Sequence, residues 1–162
     1  MGAGKSTVGR ALARRLQWPF VDLDQEIERK YRVTIPRIFS EHGEAGFRQR
    51  EHEVLAGLAF VGRAVISTGG GTFTFEPSRR LIARAGVSVF LDPDFDLLWQ
   101  RLVRSPKERP LLADRTATER LWKARREVYL EANLRIDVGA DGDPDAVAAA
   151  IVQRLTEDPC VI

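Results

Sequence analysis

Met1-Gly2-Ala3-Gly4-Lys5-Ser6-Thr7 opens the chain and decides how the rest of it is read. The stretch is the second half of the pattern G-x-x-x-x-G-K-[ST], a glycine-rich turn that runs into a helix and cradles phosphate. Gly2 and Gly4 can take backbone angles that aim successive N–H groups at one point. The helix that follows, with Val8, Leu12 and Leu16 four residues apart, adds the positive end of its dipole. Lys5 can reach the β- and γ-phosphates, and the Ser6 hydroxyl can ligate magnesium. Residues 2–7 together, Ala3 and Thr7 included, form the candidate nucleotide-binding segment. The plain alternative is a glycine-rich helix start with a chance lysine, and residues downstream speak against it.

Two parts of the pattern fall outside the chain: its first glycine, and the apolar strand that ordinarily carries such a loop. In a parallel sheet that strand is central, and without it the apolar faces of its neighbours lie open. The expectation is that residue 1 stands inside the domain, an internal methionine having been taken as the start.

Downstream, short apolar runs alternate with longer helical patterns, which indicates a three-layer α/β/α domain with a mainly parallel sheet. Strands are expected over 20–23, 64–67, 87–91 and 134–138, the last alternating Leu134, Ile136 and Val138 with Arg135 and Asp137. Helices are expected over 44–60, from Pro77 to about Ala85, over 116–131 and over 144–156. Thr116 with Glu119 has the capping-box spacing, and Asp143 before Pro144 suits a cap and first residue. Residues 104–115 hold two prolines and three arginines with little periodicity; with residue 116 they are expected to form a lid loop within a single domain spanning 1–162.

Composition sets limits on function. The 162 residues are 44% hydrophobic and 30% charged, ordinary for a globular domain. The formal net charge of +2 does not describe a polycation, so nucleic acid is not an expected partner. No apolar stretch approaches the roughly 18 residues of a membrane span, so no membrane partner is expected either. A single cysteine, Cys160, has no internal disulfide partner and fits a reducing cytoplasm.

Trp18-Pro19-Phe20-Val21-Asp22-Leu23-Asp24 sets two carboxylates two residues apart. At strand periodicity both point to one face, at the carboxyl end of a strand where α/β sheets bind ligands. Two like charges so close call for a cation or a hydrogen-bonding substrate. Behind a phosphate loop, one acid can serve the metal and the other can orient an acceptor hydroxyl. Arg48 and Glu51 share a helix face three residues apart, so the acid can aim the guanidinium at a substrate carboxylate. Gly69-Gly70-Gly71 follows a strand, and three such residues cost more backbone entropy than a plain turn requires; close approach of a ligand to the backbone explains them better. Arg109 is either a solvated loop charge or a cation that arrives as the lid closes. His42 and His52 lack a metal-binding partner at useful spacing, and Trp18, Trp99 and Trp122 are expected to pack.

Taken in order, these pieces resemble the shikimate kinase family over nearly the whole chain: G-A-G-K-S-T at 2–7, F-V-D-L-D at 20–24, I-P-R-I-F-S-E-H-G-E-A-G-F-R-Q-R-E at 35–51, S-T-G-G-G at 67–71, R-P-L-L at 109–112, and Arg125 four residues before Tyr129. The resemblance implies a nucleoside-monophosphate-kinase-like P-loop fold and ATP-dependent phosphorylation of the shikimate 3-hydroxyl. It implies that Asp24 orients or deprotonates that hydroxyl and that Asp22 supports the magnesium site. Arg48 and Arg125 would hold the substrate carboxylate, Gly70 would let backbone approach the ring, and Arg109 would be the lid cation. It also implies a cytoplasmic enzyme, expected to be a monomer. The chain departs from the family at residues 139–143, Gly-Ala-Asp-Gly-Asp, where members often carry an arginine against adenine; adenine contacts are then expected to be mostly backbone. The 104–109 segment is short and holds Pro106, which is expected to limit lid travel. Two other readings stay open: a related kinase for another small polar acceptor such as gluconate, and a ligand-binding remnant without activity.

Overall fold

Among the described residues, four short runs of β-branched and aromatic residues become strands, and both pairings between them are parallel. The computed structural model describes residues 2–104, 114–139 and 142–157. The order is α1 (Lys5–Leu16), β1 (Phe20–Asp22), α2 (Leu23–Tyr31), α3 (Ile35–Leu58), β2 (Val65–Ser67), α4 (Glu76–Ala85), β3 (Val89–Pro93), α5 (Phe95–Val103), α6 (Arg115–Tyr129), β4 (Leu134–Val138) and α7 (Pro144–Glu157). β1 pairs with β2, setting Asp22 beside Ser67, and β3 pairs with β4, setting Asp92 beside Asp137.

Alternation along the strands produces the three layers. Val65, Val89 and Leu91 pack with α1 and α7 around Ala11, Leu12, Ala148 and Ile151. Ile66, the neighbour of Val65, faces the other way into α2, α3 and α4, where Leu23, Ile27 and Ile38 are fully buried. Each of those three side chains contributes roughly 1.5–3 kcal/mol by leaving water. On that same side Phe90 meets the Tyr129 ring of α6 at 5.2 Å.

No pairing joins β2 to β3 among the described residues. Between the two strand pairs lies a cavity of about 280 Å³, walled by Ile66, Val89, Phe90 and Leu91 and reaching Ala3 and Lys5.

Several expected boundaries shift. The expected helix over 44–60 is the second part of α3, which is broken at Gly43 (φ 64°, ψ −173°); the segment before the break is helical as well. Helix α6 is capped not by Thr116 but by Asp114, whose carboxylate accepts from the Ala117 amide at 2.7 Å. Asp143 does cap α7, accepting from the Ala146 amide at 3.2 Å. The expected lid falls mostly on residues 105–113, outside the described residues, as does Cys160. No helix among the described residues is long and apolar enough to cross a membrane.

Candidate active site

The phosphate loop takes the shape its glycines permit. Gly2 and Gly4 lie at φ 70° and 84°, left-handed angles that a side chain would strain. Gly4 caps α1 with no side chain over the helix end, which leaves the first-turn amides facing outward for an anion. Lys5 opens that helix. Ser6 follows, and its hydroxyl donates to Asp22 Oδ2 at 3.0 Å and sits 3.3 Å from the Ser67 hydroxyl. Loop, β1 and β2 therefore meet at one point, at the carboxyl ends of the strands.

Asp22 and Asp24 do converge, but not by strand alternation. β1 stops at Asp22, and Asp24 stands in the first turn of α2. Near a helix N-terminus a carboxylate is favoured by the dipole, which is why the chain can turn helical between two acids. Burial pushes the Asp24 carboxyl above its ordinary range; Asp22 and Glu51 add to this, while Lys5 opposes it. Lys5 and Asp24 are therefore close enough for each to feel the other, although they lie on different helices.

Arg48 sits on α3 with its side chain mostly buried. Its Nη1 donates to Glu51 Oε2 at 2.6 Å, and its Nη2 lies 3.3 Å from Glu44. Glu51 is fully buried, and the Thr72 hydroxyl donates to its Oε1 at 2.6 Å. No glycine of the 69–71 triplet has a positive φ, so the reason for them is space. A Cβ on Gly71 would stand 1.9 Å from Arg48 Nη2, and one on Gly69 would stand 3.0 Å from Glu51 Oε1 and 3.3 Å from Asp24. The room that ligand approach was expected to need is partly taken by the protein's own arginine and acids.

Tyr129, at the end of α6, donates from its hydroxyl to the Gly70 carbonyl. Burial pushes its phenol pKa up against the pull of Arg125 and Arg48, so both guanidiniums lie near that ring oxygen. Lys5, Gly69, Gly70, Arg125 and Tyr129 all line the one cavity. Arg109 lies outside the described residues. Thr72, Ser67 and the Tyr129–Gly70 contact are absent from the sequence expectations. Each joins residues 21 to 61 apart in the chain, which no spacing rule can reach. His52 Nδ1 shares a 3.2 Å hydrogen bond with the buried Ser78 hydroxyl, and the Trp122 ring lies tilted against Phe95 at 5.6 Å.

A loop that gathers amides and a lysine for phosphate, facing an acid able to take a hydroxyl proton, makes this a P-loop kinase of the parallel α/β class. A family model described as Shikimate kinase matches residues 1–156. Among named relatives, the shikimate kinase of Cereibacter sphaeroides is 45% identical over all of this chain and 82% of its own length. That of Ruegeria pomeroyi is 48% identical over 95% of this chain and 82% of its own. Among solved structures, shikimate kinase from Acinetobacter baumannii in complex with shikimate superposes with a TM-score of 0.89 at 41% identity, covering 98% of this chain and 90% of that one. The Aquifex aeolicus enzyme gives 0.82 at 35%, covering 97% of this chain and 92% of that one. The chain belongs to the shikimate kinase family.

Proposed function

We propose that this protein transfers the γ-phosphoryl group of ATP to the 3-hydroxyl of shikimate, giving shikimate 3-phosphate and ADP on the route to chorismate and the aromatic amino acids. The observation that carries this reading is that Lys5 and Arg125 line one pocket, while Lys5 acts on the buried Asp24 carboxyl and Arg48 joins Arg125 in acting on the Tyr129 phenol of that pocket.

Residues 2–7 hold the nucleotide phosphates through amides and Lys5. Arg48 and Arg125 bind the substrate carboxylate; Arg48, aimed by Glu51, brings the planar fork that a carboxylate accepts. Gly70, its carbonyl tied to Tyr129, keeps backbone close to the ring. Asp24 then receives the proton as the 3-hydroxyl oxygen bonds to the γ-phosphorus and the bond to the β–γ bridging oxygen breaks, releasing ADP. Lys5 neutralises charge on the moving group, and Arg109 is assigned the same task as the lid cation. Ser6 and Asp22, a hydroxyl and a carboxylate 3.0 Å apart, are the hard oxygen donors that suit magnesium with its retained waters. When bound there, the ion neutralises phosphate charge.

A cytoplasmic location fits a chain with a single cysteine, and the protein is assigned as a monomer. The pair Arg48 and Arg125 favours shikimate over gluconate as acceptor, because a second phosphate-loop kinase substrate need not be gripped by both. Coupled ADP release from the native protein, with shikimate and with gluconate in parallel, tests the proposal. Turnover with shikimate alone is expected; turnover with gluconate, or with neither, refutes it.

A further inference from the structure

Arg125 and Arg126 are consecutive on α6, so their side chains leave the helix about 100° apart. Arg125 lines the substrate cavity. Arg126 therefore turns aside, and its guanidinium grips Asp92 on β3: Nε lies 3.0 Å from Oδ1 and Nη2 lies 2.7 Å from Oδ2. Arg135 of β4 closes on the same carboxylate, with Nε 2.9 Å from Oδ2. The Asp92 side chain is 4% exposed and that of Arg126 29%, so the carboxylate end of this bidentate pair is shielded from water.

Helix α6 needs such a tie. Of its residues only Thr118 is buried, so apolar packing does little to set its rotation about its own axis. Tyr129 anchors the far end at Gly70, and Trp122 leans on Phe95. Between them, the Asp92–Arg126 fork sets the angle at which Arg125 faces the pocket.

We propose that Asp92 and Arg126 are positioning residues for substrate recognition, acting on the substrate carboxylate through Arg125. The inference rests on the reading of Arg125 given above. A double-mutant cycle with R125M and R126M tests it, scored by KM for shikimate, KM for ATP and kcat. R126M is expected to raise the shikimate KM about tenfold, with the ATP KM and kcat within about twofold. Added to R125M, it is expected to change the shikimate KM less than about twofold, because its route of action is already gone. With an analogue bearing CH2OH in place of the carboxylate, wild type and R126M should have equal kcat/KM. If R126M folds poorly, R126K keeps the charge and loses the fork, and should give a smaller rise in the same KM alone. Multiplying effects in the cycle, or equal rises in both KM values, overturn the positioning role. An unchanged shikimate KM in R125M overturns the reading of Arg125 itself, and the inference with it.

Discussion

Arg48 and Glu51 stand one helical turn apart on α3 with Nη1 and Oε2 separated by 2.6 Å, and the acid has no exposure to solvent at all. A carboxylate buried so completely is tolerated because Arg48 and the Thr72 hydroxyl both reach it. Removing one member of such a pair leaves an uncompensated charge. Glu51→Ala is expected to cost about 3–5 kcal/mol of folding stability, read from the urea midpoint. In whatever folds, the shikimate KM should rise while the ATP KM holds, since only the carboxylate-binding fork has lost its guide.

Gly71→Ala tests whether the glycine triplet is there for space. Its Cβ would sit 1.9 Å from Arg48 Nη2, a contact with the far end of a flexible side chain. The backbone angles suit alanine, so melting temperature should change little. Arg48 should be the part that moves. Losing a charge-assisted hydrogen bond worth about 1.5–3 kcal/mol corresponds to a shikimate KM roughly 10- to 100-fold higher. A variant whose KM is unchanged would show that the glycines serve backbone freedom instead.

The phosphate loop, the cap at Asp143 and the alternation of β4 were legible because each is set by residues within a few positions. The acidic pair was legible as a pair but not in its form: spacing of two reads as a strand face, whereas α2 begins at Leu23 between the acids. At the start of α6, Asp114 outcompetes the Thr116–Glu119 spacing because its carboxylate reaches the Ala117 amide. Helix α5 is missing from the expectations although Phe95, Leu98 and Leu102, spaced three and four apart, form its buried stripe. What spacing cannot supply is closure between distant elements. Tyr129 on Gly70, Thr72 on Glu51 and Arg126 on Asp92 are created only when helices settle on the sheet.

Lys5→Met should separate binding from chemistry. Lys5 opens the helix whose first-turn amides are proposed to hold the phosphates, and those amides survive the substitution. A preorganised charge aimed at the developing transition state is worth about 10²–10³ in kcat. The expected result is a fall of that size in kcat, followed by ADP release, with a much smaller change in the ATP KM.

Asp24 carries an ionisation penalty in the folded protein. Burial, Asp22 and Glu51 hold its carboxyl above the ordinary aspartate value of 3.8, with Lys5 pulling the other way. A folded-state pKa above the unfolded one means that the native protein favours the protonated form. The penalty is therefore absent below the unfolded pKa and grows as pH rises through the folded one. Asp24→Asn removes it. The variant should match wild type in melting temperature at low pH and exceed it progressively above the ordinary aspartate range, while phosphoryl transfer is lost. If Asp24 accepts the hydroxyl proton as proposed, the same shift should move the acid limb of kcat/KM for shikimate above 3.8 in wild type, because only the ionised form can accept it. Melting curves of both proteins across pH, paired with that rate profile, check the two halves separately; a variant less stable than wild type at neutral pH would contradict the first.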